Sequence, residues 1–307
     1  MRYLADRRAR IRLDPRELLK SARSVICVGK LYNSPVPYST QDEREAGWIS
    51  RYARGTDYHQ VLREGLRTLV EKLGAHVERS FDAKICVDTA PLLERSYARM
   101  AGLGWIGKNT CLIHQGKGSW YFLGDVLTSL EIKPDTPPAD RCGSCTRCID
   151  ACPTTALVPR AGADGPRWEL DARLCISYLT IELRGPIPTE LRPGIGRHVF
   201  ACDICQDVCP WNRKAPVEDA GAFAPRDNIT DLDWMASLSE TEFEAAYAAT
   251  PVSRARYRGF LRNVAVAMGN SRNGKFRVAL ERLASHADPE VAEHADWALR
   301  QLETAGY

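Results

Sequence analysis

The residues best suited to chemistry in this chain are cysteines. "CGSCTRCIDACP" (Cys142 to Pro153) sets four thiols at the spacing C-x2-C-x2-C-x3-C-P. A shorter stretch, "CDICQDVCP" (Cys202 to Pro210), repeats the end of that pattern without its first cysteine. Cys175, in "RLCISYLTIE", is the available substitute. This is ferredoxin spacing: three close thiolates wrap three corners of an iron–sulfur cube, and the cysteine ahead of proline reaches a neighbouring cube. Crossing the fourth cysteines puts Cys142, Cys145, Cys148 and Cys209 on one [4Fe–4S] cluster. Cys152, Cys175, Cys202 and Cys205 then hold the other. Structural zinc is the competing chemistry, but zinc sites usually show two C-x2–4-C pairs rather than a triplet ending in C-x3-C-P. Neighbouring clusters pass single electrons onward; they do not name a reaction.

The rest of the chain must position these groups and supply the acceptor. Its 307 residues allow two or three domains. A formal net charge of +3 is too small to argue for an anionic partner, so any nucleic-acid reading depends on local clusters. The N-terminus is arginine-rich without the apolar core of a signal peptide, and no apolar run reaches the ~20 residues of a membrane span. The expectation is a cytoplasmic protein. Eleven cysteines in a reducing compartment favour metal ligation over disulfides. Cys27, Cys86 and Cys111 lie among apolar residues and are expected to be small core side chains.

"SVICVGKLY" (Ser24 to Tyr32) predicts a buried strand, and "YHQVLREGLRTLVEKLG" (Tyr58 to Gly74) an amphipathic helix ending at glycine. "AHVERSFDAKICVDT" reads as strand, turn and strand; "PLLERSYARMAGLG" (Pro91 to Gly104) as a helix; "SWYFLGDVLTSLEI" (Ser119 to Ile132) as a strand. Alternating elements predict an α/β first domain to about residue 134, bounded by the proline-rich "KPDTPPAD". The cysteine module follows, then short amphipathic helices such as "FLRNVAVAMGN" and "PEVAEHADWALRQLE".

No G-x-G-x-x-G or P-loop motif is present. "AGLGWIGKNT" (Ala101 to Thr110) is either a backbone surface for a large flat ligand or a glycine-rich helix end around a buried tryptophan. Asp88, in "ICVDTAP", is either a helix N-cap or a partly buried acid whose carboxyl is kept protonated by desolvation.

Taken in order, "SRYARGTDYH", "VDTAPLLER", "AGLGWIGKNT", "GSWYFLGDVLT", "CGSCTRCIDACPTTAL", "CISYLTIEL" and "CDICQDVCPWN" resemble the epoxyqueuosine reductase family, from about Leu4 to the C-terminus. The resemblance implies an α+β multidomain fold: a nitroreductase-like α/β cobalamin domain (1–134), a ferredoxin-like double [4Fe–4S] module (135–213) and HEAT-like tRNA-contacting helices (214–307). It implies two [4Fe–4S] clusters and cobalamin, and reduction of epoxyqueuosine to queuosine at the wobble position of tRNA for Asp, Asn, His and Tyr. An external electron donor, a monomer and no membrane attachment go with it. Asp88 matches the family's proton donor. Gly104, Trp105, Gly107, Lys108 and Asn109 would lie against the corrin. Ser119, Gly124, Ser177, Thr180 and Asp203 lie on other segments expected to contact cobalamin. Arg51 occupies a position near the cobalt face where some members carry cysteine, so a thiolate role there is absent. Family chains usually carry roughly fifty further residues before "YLADRR", and a shorter start is expected to cost stability and cofactor retention.

"PVSRARYRGFLRN" gathers Arg254, Arg256, Arg258 and Arg262 with Tyr257 and Phe260. A solvated helix start is the plain alternative; beside a tRNA substrate the arginines are expected to meet phosphates and the rings to stack on bases. Arg184, Arg192, Arg197 and His198 add basic character, and the wobble nucleotide is expected to flip out. Two other readings stand open: a dehalogenase-like corrinoid reductase acting on a small molecule, and a non-catalytic electron carrier needing neither Asp88 nor cobalamin.

Overall fold

In the computed structural model, residues 8–41, 46–161, 167–218, 221–225, 230–304 and 306 are described; the Leu4 end of the resembling stretch lies outside them. The chain packs as two discontinuous units. The first comprises Met1–Asn33, Asp57–Cys145 and Pro210–Glu218; the second comprises Ser34–Thr56, Thr146–Cys209 and Asp219–Tyr307.

The first unit is built on a three-stranded antiparallel sheet in which Tyr121–Thr128 is central, flanked by Ser24–Leu31 and Ala83–Cys86. Alternation along the central strand divides its side chains between two faces. Phe122 stacks on Tyr58 of the long helix Tyr58–His76 at 4.4 Å between centroids. A Cβ on Gly124 would stand 3.0 Å from Leu66 and 3.1 Å from Leu62 of the same helix, so glycine here admits the helix rather than a ligand. Leu127 joins Cys86 and Leu92 in an apolar cluster with Tyr97 of the helix Glu94–Met100. The long helix runs two residues past Gly74, and the "AHVERSFDAKICVDT" stretch yields one strand rather than two. Propensity for a strand at its start loses to the helix, which continues through His76, whose ring bonds the Lys72 carbonyl. The helix expected from Pro91 to Gly104 is limited to Glu94–Met100, with Asp88 too far upstream to cap it.

The second unit has one large core that joins Ile176, Leu179 and Ile181 to Phe260, Val264, Met268, Leu280, Trp297 and Leu302. Arg256–Ser271 is buried along most of its length, from Gly259 to Gly269. It crosses Pro289–Thr304 so closely that a Cβ on Gly269 would lie 2.8 Å from Ala298. The helical C-terminal stretch and the "CISYLTIE" segment thus share one interior. Among the described residues no helix is long and apolar enough to cross a membrane.

Candidate active site and cluster ligands

In the second unit, Cys152, Cys175 and Cys202 are electrostatic neighbours. Burial pushes the Cys202 thiol well up, and burial likewise raises Cys175. Cationic iron reverses that penalty by stabilising the thiolates. Donors are already aimed at the sulfurs: the Ala156 N–H reaches Cys152 Sγ at 3.3 Å, Ser177 and Tyr178 N–H face Cys175, and Ile204 N–H faces Cys202. Hydrogen bonds to sulfur are a normal component of cluster sites. Cys175 is also the N-cap of Ile176–Ile181, where helix N–H groups favour a thiolate. The turn Arg147–Asp150, which carries Cys148, packs on Ile204–Asp207, which carries Cys205. Among the described residues no three His, Cys, Asp or Glu side chains close round a single ion. The donor chemistry fits thiolate-bound clusters. Cys86 is buried and Cys27 and Cys111 are half-buried; burial pushes the Cys86 thiol up to about 11 and keeps Cys27 protonated.

In the first unit, Lys108 Nζ donates to the carbonyls of Gly143 (2.7 Å) and Cys145 (3.0 Å), clamping the loop between the first two cysteines. Trp105 meets Trp211 edge-on at 4.9 Å, and Ser119 N–H donates to Asn212 Oδ1 at 2.7 Å. The "GLGWIGKN" and "SWYF" segments therefore hold both the start of the first motif and the residues just after Cys209.

Most side chains expected at the corrin are committed to the protein. Gly104 lets its backbone press on the Ile113 carbonyl, and Gly107 would meet Ile113 at 2.5 Å if it carried a Cβ. Asn109 Oδ1 accepts the Cys111 N–H. Thr180 Oγ1 donates to the Ile176 carbonyl and accepts the Ala201 N–H, and Ser177 bonds Cys175. Asp203, 1% exposed, accepts from Trp48 Nε1, Ser50 Oγ and Arg51 N–H. Arg51 is 2% exposed, and its guanidinium donates to the carbonyls of Ser34, Val36 and Pro37. These side chains hold loops in place, because buried polar groups must be satisfied. The Trp105 indole N–H is buried without an acceptor and fits an added ligand.

Asp88 ends the strand Ala83–Cys86 region at φ +50°, a left-handed conformation that aspartate tolerates better than most residues. Its side chain is 42% exposed, so the expected desolvation is not what this site provides. Instead Oδ2 lies 3.3 Å from His59 Nε2, and His59 Nδ1 lies 2.7 Å from Asp57 Oδ1. The Asp88 N–H donates to Glu94 Oε1 at 2.5 Å, and burial pushes Glu94 up to about 7. Asp57, His59 and Glu94 escaped the sequence reading. The signal was there in "GTDYHQ": an aspartate at a helix N-cap with a histidine two residues on.

Of the basic residues, Arg184, Arg254, Arg256 and Arg258 repel one another on one patch of the second unit. Arg254 pairs with Glu182 at 2.6 Å, and Arg258 stands 3.6 Å from Asp288 and Glu290. Arg262 is corrected: at 1% exposure it is an internal brace, donating to Leu179, Gly185 and Glu290. Arg192 pairs with Glu293 inside the fold, Arg197 lies over Trp48, and His198 is 4% exposed. Phe260 is a core residue, and the Tyr257 hydroxyl donates to the Leu238 carbonyl, so neither ring is free to stack on a base.

Comparison with known proteins decides the family. Residues 12–89 match the family described as Epoxyqueuosine reductase QueG, DUF1730, and residues 141–212 match the 4Fe-4S double cluster binding domain. An epoxyqueuosine reductase of Xanthomonas campestris pv. campestris is 41% identical over 302 residues, covering 96% of this chain and 82% of that protein. The chain belongs to the epoxyqueuosine reductase family. It is an oxidoreductase with a mixed helix-and-sheet fold and a domain for two [4Fe–4S] clusters. A crystal structure of epoxyqueuosine reductase with a tRNA-Tyr epoxyqueuosine-modified stem loop superposes with TM-score 0.83 at 30% identity, covering 95% of this chain and 79% of that one. The Bacillus subtilis epoxyqueuosine reductase, in a structure with an aspartate catalytic loop swung out of its active site, gives TM-score 0.82 at 30% identity, covering 97% and 80%.

Proposed function

We propose that this protein reduces epoxyqueuosine to queuosine at the wobble position of tRNA, the tRNAs for Asp, Asn, His and Tyr being its substrates and an external reductant its electron source. The observation that carries this is the junction in the first unit, where the Lys108 clamp ties the "GLGWIGKN" loop to the Gly143 and Cys145 carbonyls. Clusters at Cys142, Cys145, Cys148, Cys209 and at Cys152, Cys175, Cys202, Cys205 would supply the electrons. The first unit would be the nitroreductase-like part, the cysteine segments the ferredoxin-like part and the C-terminal helices the HEAT-like part of a cytoplasmic monomer.

Turning an epoxide into an alkene consumes two electrons and two protons and releases water. Cobalamin, when bound, would supply a reduced cobalt able to deliver electron density to carbon. Backbone of residues 104–109 and the unpartnered Trp105 indole N–H would hold its amide-bearing periphery. Asp88 would protonate the departing oxygen; its exposure leaves it accessible to substrate. Arg184, Arg254, Arg256 and Arg258 would meet tRNA phosphates.

The test is single turnover of epoxyqueuosine tRNA by protein carrying both clusters and added cob(II)alamin. Asp88→Asn is expected to abolish queuosine formation while the cobalamin EPR signal remains that of the bound cofactor. Full activity in that variant sinks the assignment. A signal of free cobalamin with intact clusters in the unsubstituted protein would instead favour an electron carrier.

A further inference from the structure

The water released from the epoxide takes two protons, and one carboxyl holds one. Asp88 lacks the burial that would favour its neutral form. Next to it stands a group built to keep a proton. The His59 ring is 16% exposed, stacks on Tyr58 at 4.2 Å, and lies between two carboxylates: Asp57 Oδ1 at 2.7 Å from Nδ1, and Asp88 Oδ2 at 3.3 Å from Nε2, an ion-pair distance without hydrogen-bond alignment. Asp57 is fixed in turn, since the same oxygen accepts the His59 backbone N–H at 2.9 Å as the N-cap of Tyr58–His76. We infer that His59, oriented by Asp57, stores the proton that replenishes Asp88 during epoxide opening.

The step balances. The Nε2 proton of the imidazolium moves to the ionised Asp88, which passes it to the leaving oxygen, and solvent supplies the second proton of the water. A neutral ring with Nδ1–H on Asp57 remains. Solvent returns the Nε2 proton after product leaves. His59 acts through Asp88, so it is a positioning residue, and the inference rests on the reading of Asp88 as the acid. The charged groups facing the ring are Asp57, Asp88 and Glu94, with Arg63 nearby at Thr89. Asp88 and then Asp57 raise the His59 pKa against the opposing effect of burial.

Two measurements test this on the full chain. In NMR titration without cofactors, the His59 pKa should fall in Asp57→Asn and in Asp88→Asn. An unchanged value in both overturns the inference. In single turnover at matched iron and cobalamin content, the wild-type rate should fall as pH rises through the raised His59 pKa. His59→Gln should lower the rate by about a hundredfold, lose that limb, and leave the half-saturating tRNA concentration within about twofold. Imidazole added to His59→Gly should restore part of the rate. A slow His59→Gln enzyme that keeps the alkaline limb, or a His59→Gln enzyme at wild-type rate, overturns the relay. Full activity in Asp88→Asn overturns the reading beneath it, whatever His59 does.

Discussion

Replacing Arg262 separates a brace from a nucleic-acid contact. Its guanidinium is 1% exposed and donates to the carbonyls of Leu179 (2.8 Å) and Gly185 (2.6 Å) and to Glu290 (2.9 Å). Arg262→Met keeps the length of the side chain and removes every donor. The carbonyls of Leu179, Leu183 and Gly185 and the Asn263 Oδ1 then lose a donor, and Glu290, whose side chain is 11% exposed, keeps only the more distant Arg258 at 3.6 Å. Breaking one side of such a buried network, with its carbonyls left short of a donor, costs about 3–5 kcal/mol. For a chain this long that lowers the thermal midpoint by roughly 6–20 °C at about 2–4 °C per kcal/mol. Leu179 and Thr180 sit on the helix that follows Cys175, so iron retention should drop as well. The comparison is Arg258→Ala, whose side chain is 47% exposed and which should leave the midpoint within about 1 kcal/mol of wild type. Differential scanning of the two variants, with iron content and tRNA binding on each, makes the assay. A wild-type midpoint for Arg262→Met, together with weakened tRNA binding, would refute the internal role.

Lys108→Met should loosen the loop between Cys142 and Cys145 and lower iron content. It should also make the cluster that this loop ligates harder to reduce, since an ammonium nearby favours the electron-rich state; potentiometric EPR reads this. Arg256→Ala with Arg258→Ala should weaken tRNA binding and reduce the slope of log affinity against log salt by up to about two charges' worth; filter binding at several salt concentrations checks it. Asp203→Ala leaves the Trp48, Ser50 and Arg51 donors buried and unpaired, and should cost about 3 kcal/mol or more in chemical denaturation. Burial lowers the His198 and His294 pKa values from 6.5 to about 4. A depressed histidine contributes stability above its unfolded pKa that is lost as pH falls through the folded one. For both, that loss falls between pH 6.5 and 4, and denaturation series across that window should show the slope reduced in a His198→Phe variant.

The cysteine spacing was legible because cluster ligation is a local demand: C-x2-C-x2-C brings three thiols together by loop geometry alone. Ser24–Leu31 and the helix from Tyr58 were legible because burial on one face imposes a period. Tertiary structure decided matters in which the sequence shows only residue type. Arg254, Arg256, Arg258 and Arg262 look alike in the chain, yet a helix that dives into the core takes Arg262 inside and leaves the others out. Gly104 and Gly124 read as ligand clearances and prove to be clearances for a strand and a helix. Asp88 and His59 lie on a strand end and a helix start far apart in sequence, and only the packing of that helix on the sheet brings a carboxylate to an imidazole. Local chemistry is written in spacing; which polar groups face one another depends on the burial of everything between them.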